Sequence, residues 1–258
     1  MRRWQHLLTG AGLAACAAMA GLSVMPARWL LAVLPADALV SLADAQGTLW
    51  EGQAWVALGA PQQRRLLPEP VQWRWRWASL DLEARHPWLQ GPLIITPRPD
   101  GLRLGAQSLR APATTLAALG APWNTLSPGG MLDLRWQALN TASPPAGPVA
   151  QLRWQDASTA LSPLPRIGDY VMRVEGTGGK GFRLALATEA GVLQVDGQGS
   201  ADGKGLRFSG RATYAPGAEP AQRRALDSLL AALGPRQGDV VIFGNVPAPA
   251  ALARRGPP

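Results

Sequence analysis

The sequence predicts a mainly β protein: one N-terminal transmembrane helix, then a curved, half-barrel-like antiparallel sheet with one or two short helices. Three observations predict it. Residues 7–25 form a run of 19 residues without a charge. After residue 35, short stretches alternate apolar and polar side chains at every second position, the pattern of a half-buried strand. Glycine and proline, 29 and 24 of the 258 residues, break those stretches where hairpin turns belong. The length suffices for one large domain or two small ones with a true core.

The elements follow in chain order. Arg2 and Arg3 precede the apolar run, and Pro26 and Arg28 close it. At about 1.5 Å per residue the run just spans a hydrocarbon core of roughly 30 Å. The basic N-terminus favours residues 1–6 on the cytoplasmic side, a signal-anchor helix over residues 7–27, and the bulk in the bacterial periplasm. Trp29 then falls at the membrane interface. Two rival readings exist. Cleavage after a shorter core has only a poor small-x-small site around Met25-Pro26-Ala27. The stretch Leu13-Ala14-Ala15-Cys16 has the form of a lipobox, but nine further apolar residues follow Cys16 instead of a polar tether.

A β domain is expected over residues 35–244, with possible halves 35–140 and 150–244. "GTLWEGQAWVAL" (47–58) and "VQWRWRW" (71–77) open it. "GLRLGAQSL" (101–109), "GGMLDLRWQAL" (129–139) and "AQLRWQDAS" (150–158) follow, then "GDYVMRVEG" (168–176) and three further runs. "GTGGKG" (176–181) and "DGKG" (202–205) read as hairpin turns. "PAQRRALDSLLAALG" (220–234) is the clearest helix. Pro220 suits its first turn, Leu226, Leu229, Leu230 and Leu233 make an apolar stripe, and Gly234 ends it. "ATTLAALG" (113–120) is a shorter helical candidate. Residues 238–244 read as a last buried strand and residues 245–258 as a loose tail. "GTLWEG", "GMLDLRW" and "GVLQVDG", starting at residues 47, 130 and 191, echo one another at uneven spacing, so they are no solenoid repeat. "NTASPPAGPVA" (140–150) reads as a long loop within one continuous sheet.

Several function classes fall away. The net charge is +8, almost all of it arginine, 23 of the 25 basic residues. These arginines are scattered rather than clustered, so no nucleic-acid tail is indicated. Cys16 is the only cysteine and His6 and His86 the only histidines, which exclude an intrachain disulfide and a cysteine- or histidine-rich metal site. A phosphate loop ending at Lys180 fails, because Val174 stands where its first glycine belongs and Gly181 follows the lysine. Gly197-Gln198-Gly199 reads as a turn. Asp81, Glu83 and His86 read as a solvated strand end before Pro87, and Ser162 and Ser209 lack a nucleophile elbow. No cofactor, metal or small-molecule substrate is expected.

In "PVQWRWRW" (70–77), a strand places Trp73, Trp75 and Trp77 on one face and Gln72, Arg74 and Arg76 on the other. A platform for single-stranded nucleic acid needs aromatic rings and cations together. Their separation favours a core-facing strand. The alternative is an exposed aromatic ridge that docks a partner or lines a groove for lipid, which eleven tryptophans against three phenylalanines keep open.

At "LSPLPRIGDYVMRVEG" (161–176) the chain resembles the type II secretion system protein N family. Leu161, Ser162, Pro163, Gly168, Asp169 and Tyr170 carry the likeness. "GTLWEG", the Trp-rich strand, "GMLDLRWQAL", "LRWQ", "TEAGVLQVDGQG" (188–199), "FSGRA" (208–212) and "LDSLLAALG" (226–234) stand in family-like order over about residues 40–244. Where members typically read Pro-Leu-Gly-Asp-Tyr, this chain has Pro165, Arg166 and Ile167 before Gly168, one residue more. The resemblance implies a non-enzymatic accessory component of the secretion machinery. It would be a single-pass inner-membrane protein whose periplasmic β domain contacts other inner-membrane components of that system. Physically, Gly168-Asp169-Tyr170 suits a turn leading into a strand, with Asp169 capping it and Tyr170 burying its ring while its hydroxyl stays near the surface.

Overall fold

A computed structural model describes residues 21–32, 38, 40–59, 61, 64–120, 123–179, 181–203 and 205–245. The anchor expected over residues 7–27 lies mostly outside them, as does the tail. Among the described residues no helix is long and apolar enough to cross a membrane. Contacts divide the chain into two compact units, Met1–His86 and Pro87–Pro258.

The first unit is an antiparallel meander. A 3-10 turn, Ala27–Ala32, precedes β1 (Val40–Gly47), β2 (Glu51–Leu58), β3 (Arg65–Arg76) and β4 (Asp81–Arg85). These pair in the order β1-β2-β3-β4. "GTLWEG" forms the β1–β2 turn. Gly47 has φ +89°, and a Cβ there would stand 2.6 Å from the Glu51 carbonyl oxygen. Only glycine tolerates both the backbone angle and the approach. The core of the unit is small: Ala27, Ala54 and Trp73 are buried, with Leu42, Ala45 and Leu82 packed around them.

The second unit is larger. Its strands are β5 (Leu93–Arg98), β6 (Gly101–Leu104), β7 (Gln107–Pro112), β8 (Gly129–Trp136), β9 (Leu139–Asn140), β10 (Ala146–Ser158), β11 (Gly168–Thr177), β12 (Phe182–Gly191), β13 (Leu193–Asp202), β14 (Gly205–Tyr214), β15 (Arg236–Gln237) and β16 (Val240–Gly244). Nine of them form an open antiparallel sheet in the order β15-β16-β14-β13-β12-β11-β10-β8-β7. β6 pairs instead with β5 and β9, outside that sheet.

The strands therefore fall into two antiparallel sheets, which corrects the expected single continuous sheet. The break comes at Gly105-Ala106. The Gly105 N–H still donates to the Ile94 carbonyl, and two residues later the chain pairs with β8. The supposed long loop at residues 140–150 is also corrected. Ala146 already pairs with Thr177, and a bulge between Pro148 and Ala150 lets a proline lie inside the strand.

Two helices join the second unit, α1 (Trp123–Leu126) and α2 (Pro220–Leu233); residues Ala113–Leu119 form a 3-10 turn. α2 starts as its sequence dictates. The Glu219 side chain accepts the N–H three residues on, and the Gln222 side chain accepts the Glu219 N–H at 3.0 Å. Its Leu226, Leu229 and Leu230 are buried against the sheet with Val241 and Ala212. Each such leucine contributes roughly 1.5–3 kcal/mol by leaving water.

Candidate functional site

Within the nine-stranded sheet, the signature segment 161–170 meets the start of β8, the bulge of β10 and the β12–β13 corner at one end. β10 bulges between Trp154 and Ala157, and Asp156 there has φ +49°. β8 begins against that bulge at Gly130, whose Cβ would lie 2.4 Å from the Gln155 oxygen. After the bulge, the buried Thr159 hydroxyl donates to the Leu126 carbonyl at 2.5 Å. Ser162, also buried, accepts the Leu164 N–H at 3.3 Å, whereas Pro163 is exposed and Leu161 half-buried.

Ile167 ties the corner together. Its N–H donates to the Ala157 carbonyl at 2.7 Å, and its own carbonyl accepts the N–H groups of Val192 and Leu193. Gly168 and Gly191 pair directly, and a Cβ on Gly191 would meet the Gly168 Cα at 2.2 Å. "GVLQVDG" thus supplies the glycine that Gly168 packs on.

Asp169 accepts the Asp156 N–H at 2.8 Å through Oδ1, which holds the strained bulge residue, and its Oδ2 pairs with Arg166. Arg166 also reaches Asp156 at 3.4 Å. Both residues between Pro165 and Gly168, one more than the family pattern has, therefore have structural tasks: Ile167 is buried and Arg166 bridges two carboxylates. Tyr170 is buried ring and hydroxyl alike, and its hydroxyl donates to the Leu193 carbonyl at 3.1 Å. That corrects the expected surface hydroxyl. The reason is the β12–β13 corner, which brings a carbonyl inside within reach of the phenol. Burial, aided by the neighbouring Asp169 charge, pushes the Tyr170 phenol well above the ordinary tyrosine range.

Tyr170 is also one wall of a cavity of about 350 Å³ between α2 and the sheet. Trp123, Trp154, Leu186, Leu229 and Phe243 are other walls. The rings stack edge-on and tilted, Trp123 to Trp154 at 6.4 Å and Trp154 to Tyr170 at 5.8 Å. The lining is apolar for a chemical reason. The Trp154 Nε1 donates to the Gly129 carbonyl at 2.8 Å, as Tyr170 and Thr159 donate to theirs, so these polar atoms turn into the backbone. Sequence reasoning missed this cavity. The only signal was that "LRWQ" and the signature segment both carry an aromatic ring on the strand face that α2 needs to cover.

The tryptophans of "PVQWRWRW" are placed otherwise. Trp73 is buried in the first unit's core, its Nε1 shared between the Thr48 and Leu49 carbonyls at 3.3 and 3.2 Å. β3 ends at Arg76, so Trp77 lies in the following turn and is 60% exposed. Trp75 is half-buried. It and Trp77 do not share Trp73's pocket but gather round Trp50, with ring centroids 6.2 Å (Trp50–Trp75) and 4.8 Å (Trp50–Trp77) apart. None of the three lines the apolar cavity. On the other strand face, Arg74 pairs with Glu51 at 2.6 Å, and Glu83 sits 2.5 Å from Arg85 and 4.0 Å from Arg76. Arg74 and Arg76 thus answer acids of neighbouring strands, β2 and β4. His86 meets the Glu69 carbonyl at 3.2 Å, and burial lowers its pKa.

The described residues thus define a hairpin-built β scaffold with an apolar cavity, and among them no group of three His, Cys, Asp or Glu side chains stands where it could hold a metal ion. The chain belongs to the type II secretion system protein N family: the family model "Type II secretion system (T2SS), protein N" matches residues 38–242. That family is a secretion accessory component and not a known class of enzyme. Comparison with curated proteins and with solved structures returned no match.

Proposed function

We propose that this protein is a non-enzymatic accessory component of the type II secretion system, held in the bacterial inner membrane by residues 7–27, with its β domain in the periplasm against other inner-membrane components of the assembly platform. The observation that carries the reading is the family match over residues 38–242. The apolar run and basic N-terminus support the anchor. The signature residues support a scaffold role in one respect: the side chains of Ser162, Asp169 and Tyr170 are used in closing the sheet corner, which leaves contact with partners to exposed positions.

The test is photocrosslinking in cells from exposed positions, Leu102 and Leu206 among them, in the full chain. Crosslinks to secretion-platform proteins, together with loss of exported substrate on deletion, are expected. Crosslinks that reach no secretion component, with export unchanged on deletion, overturn the reading. Scrambling residues 161–170 is unsuitable, because it removes the corner itself.

A second reading, favoured by the cavity under α2, is a hydrophobic-ligand-binding protein. About 350 Å³ of apolar space matches one medium-length acyl chain. The groove aromatics would then be Trp123, Trp154 and Tyr170 rather than Trp73, Trp75 and Trp77. Native mass spectrometry of the gently extracted protein tests it: a bound acyl species lost in Leu186→Trp supports it, and a bare protein in both forms removes it.

A further inference from the structure

The first unit carries a second aromatic group that the secretion role leaves unused. Trp50, Trp75 and Trp77 touch one another, with Trp75 and Trp77 centroids 5.9 Å apart, and Trp77 is 60% exposed. Isolated exposed apolar residues are ordinary on protein surfaces. Three indoles in mutual contact, with Trp50 and Trp75 half-buried behind an exposed Trp77, are not.

This group is fastened to one particular part of the chain. The Trp50 Nε1 donates to the Leu22 carbonyl at 2.8 Å. The Leu49 N–H donates to the Met25 carbonyl at 2.9 Å, and Pro26 bridges to Thr48. Leu22 and Met25 are the last residues of the uncharged run at residues 7–25. The indoles therefore sit at the point where that run enters the fold. On the same segment Leu22, Val24 and Trp29 are 56, 68 and 56% exposed, although Ala27 beside them is buried. Arg28 is exposed there too and adds a cation.

We infer that the Trp50–Trp75–Trp77 group, with Leu22, lies in the headgroup–acyl boundary of the bilayer that residues 7–25 enter, and so fixes the first unit against the membrane surface. The inference rests on the anchor reading. Indoles favour that boundary because the ring is apolar and the N–H polar. The occupant follows from connectivity: a membrane that takes in the run up to Leu22 brings its interface within a hydrogen bond of Trp50. A protein partner is the other class of occupant, and nothing ties one to this end of the run.

The test uses the full chain with Cys16→Ser and a nitroxide at Ala78→Cys, an exposed neighbour of Trp77. The comparison site is Leu66→Cys, exposed at the far end of β3, roughly 30 Å away along the strand. Both are reconstituted at low protein-to-lipid ratio in phosphatidylethanolamine–phosphatidylglycerol vesicles. Collision with oxygen and with a water-soluble nickel chelate is read by power saturation. Several-fold less chelate collision at 78 than at 66 is expected, with the difference abolished by Trp50→Ser and Trp77→Ser together. Equal chelate access at the two sites, in protein that carbonate does not extract, overturns this inference alone. Protection of 78 in native membranes but not in these vesicles assigns the face to a protein and also overturns it. Release by carbonate overturns the anchor reading, and the inference with it.

Discussion

Among the described residues, two aromatic groups of three rings differ in what their polar atoms do. Around the cavity of the second unit, the Trp154 N–H and the Tyr170 hydroxyl each donate to a backbone carbonyl, and Leu229 and Leu233 of α2 line the same cavity. In the first unit, Trp50 spends its N–H on the chain entering from the apolar run, and Trp77 stands open. The first group has its innermost ring, Tyr170, buried and is set by the strand corner. The second is set by its connection to the N-terminal segment and has its outermost ring, Trp77, exposed. Residue type alone does not separate a core from a contact face; the destination of each donor does.

The sharpest way to break the cavity group is at its corner. Gly191 has φ +131°, and a Cβ there would stand 2.2 Å from the Gly168 Cα and 2.5 Å from the Ile167 oxygen. Gly191→Val combines a forbidden backbone angle with a clash against backbone, and we expect a loss of about 3–5 kcal/mol in chemical denaturation of the full chain. A loss near that of a surface substitution would show that the corner is not a fixed frame. Next comes a paired comparison. Leu230 of α2 is fully buried, so Leu230→Ala should cost about 3–5 kcal/mol, whereas Trp77→Ser, outside lipid, should cost about 1 kcal/mol or less. Similar costs for the two would mean that Trp77 is packed rather than open.

The hydroxyl of Tyr170 sharpens the contrast through pH. Burial comes first among the causes that raise its pKa, and the Asp169 charge second. The folded protein thus keeps this proton at pH values where an unfolded tyrosine, titrating near ~10, has released it. Its stabilising share is complete below about pH 10 and is lost as pH rises beyond that value toward the folded pKa. Tyr170→Phe should cost about 1–2 kcal/mol near neutral pH and flatten the alkaline decline of stability. The remaining slope belongs partly to Tyr214, whose pKa is also raised, chiefly by burial and next by its hydrogen bond with Asp227. An unchanged slope in Tyr170→Phe would mean that the phenol reaches water.

Much of the cavity group's frame was legible, and most of the Trp50–Trp75–Trp77 group's was not. Period-2 alternation and glycine spacing mark β8, β10, β11 and β13 because local sterics fix them. The leucine stripe of α2 is legible for the same reason, since Leu226, Leu229 and Leu230 must share a face. The cavity was not legible. It depends on which strand face α2 covers, and that is set by pairing between residues far apart in sequence. Trp73, Trp75 and Trp77 show the opposite failure. Their alternation predicts one face, but β3 ends at Arg76, and a turn carries Trp77 away to Trp50, which no local pattern links to it. The break between the two sheets was equally invisible, because Gly105-Ala106 resembles any other short turn.

The smallest effect tests whether charge or hydrogen bonding holds the corner. Asp169 does two things: Oδ1 accepts the N–H of Asp156, a residue at φ +49°, and Oδ2 pairs with Arg166. The Arg166 side chain is half exposed, so water and salt screen its attraction. Arg166→Ala should therefore cost less than about 1 kcal/mol, and less still in high salt. Asp169→Asn keeps an oxygen for the Asp156 amide and should cost about as little. Asp169→Ala removes that acceptor, leaves a left-handed residue without its hydrogen bond, and should cost about 1–2 kcal/mol. Equal losses in Asn and Ala variants, both vanishing in salt, would make the corner electrostatic. The distinction decides how the additional residue before Gly168 is accommodated: if the amide bond dominates, Arg166 is free to vary, and Ile167, through its carbonyl shared by Val192 and Leu193, fixes the turn.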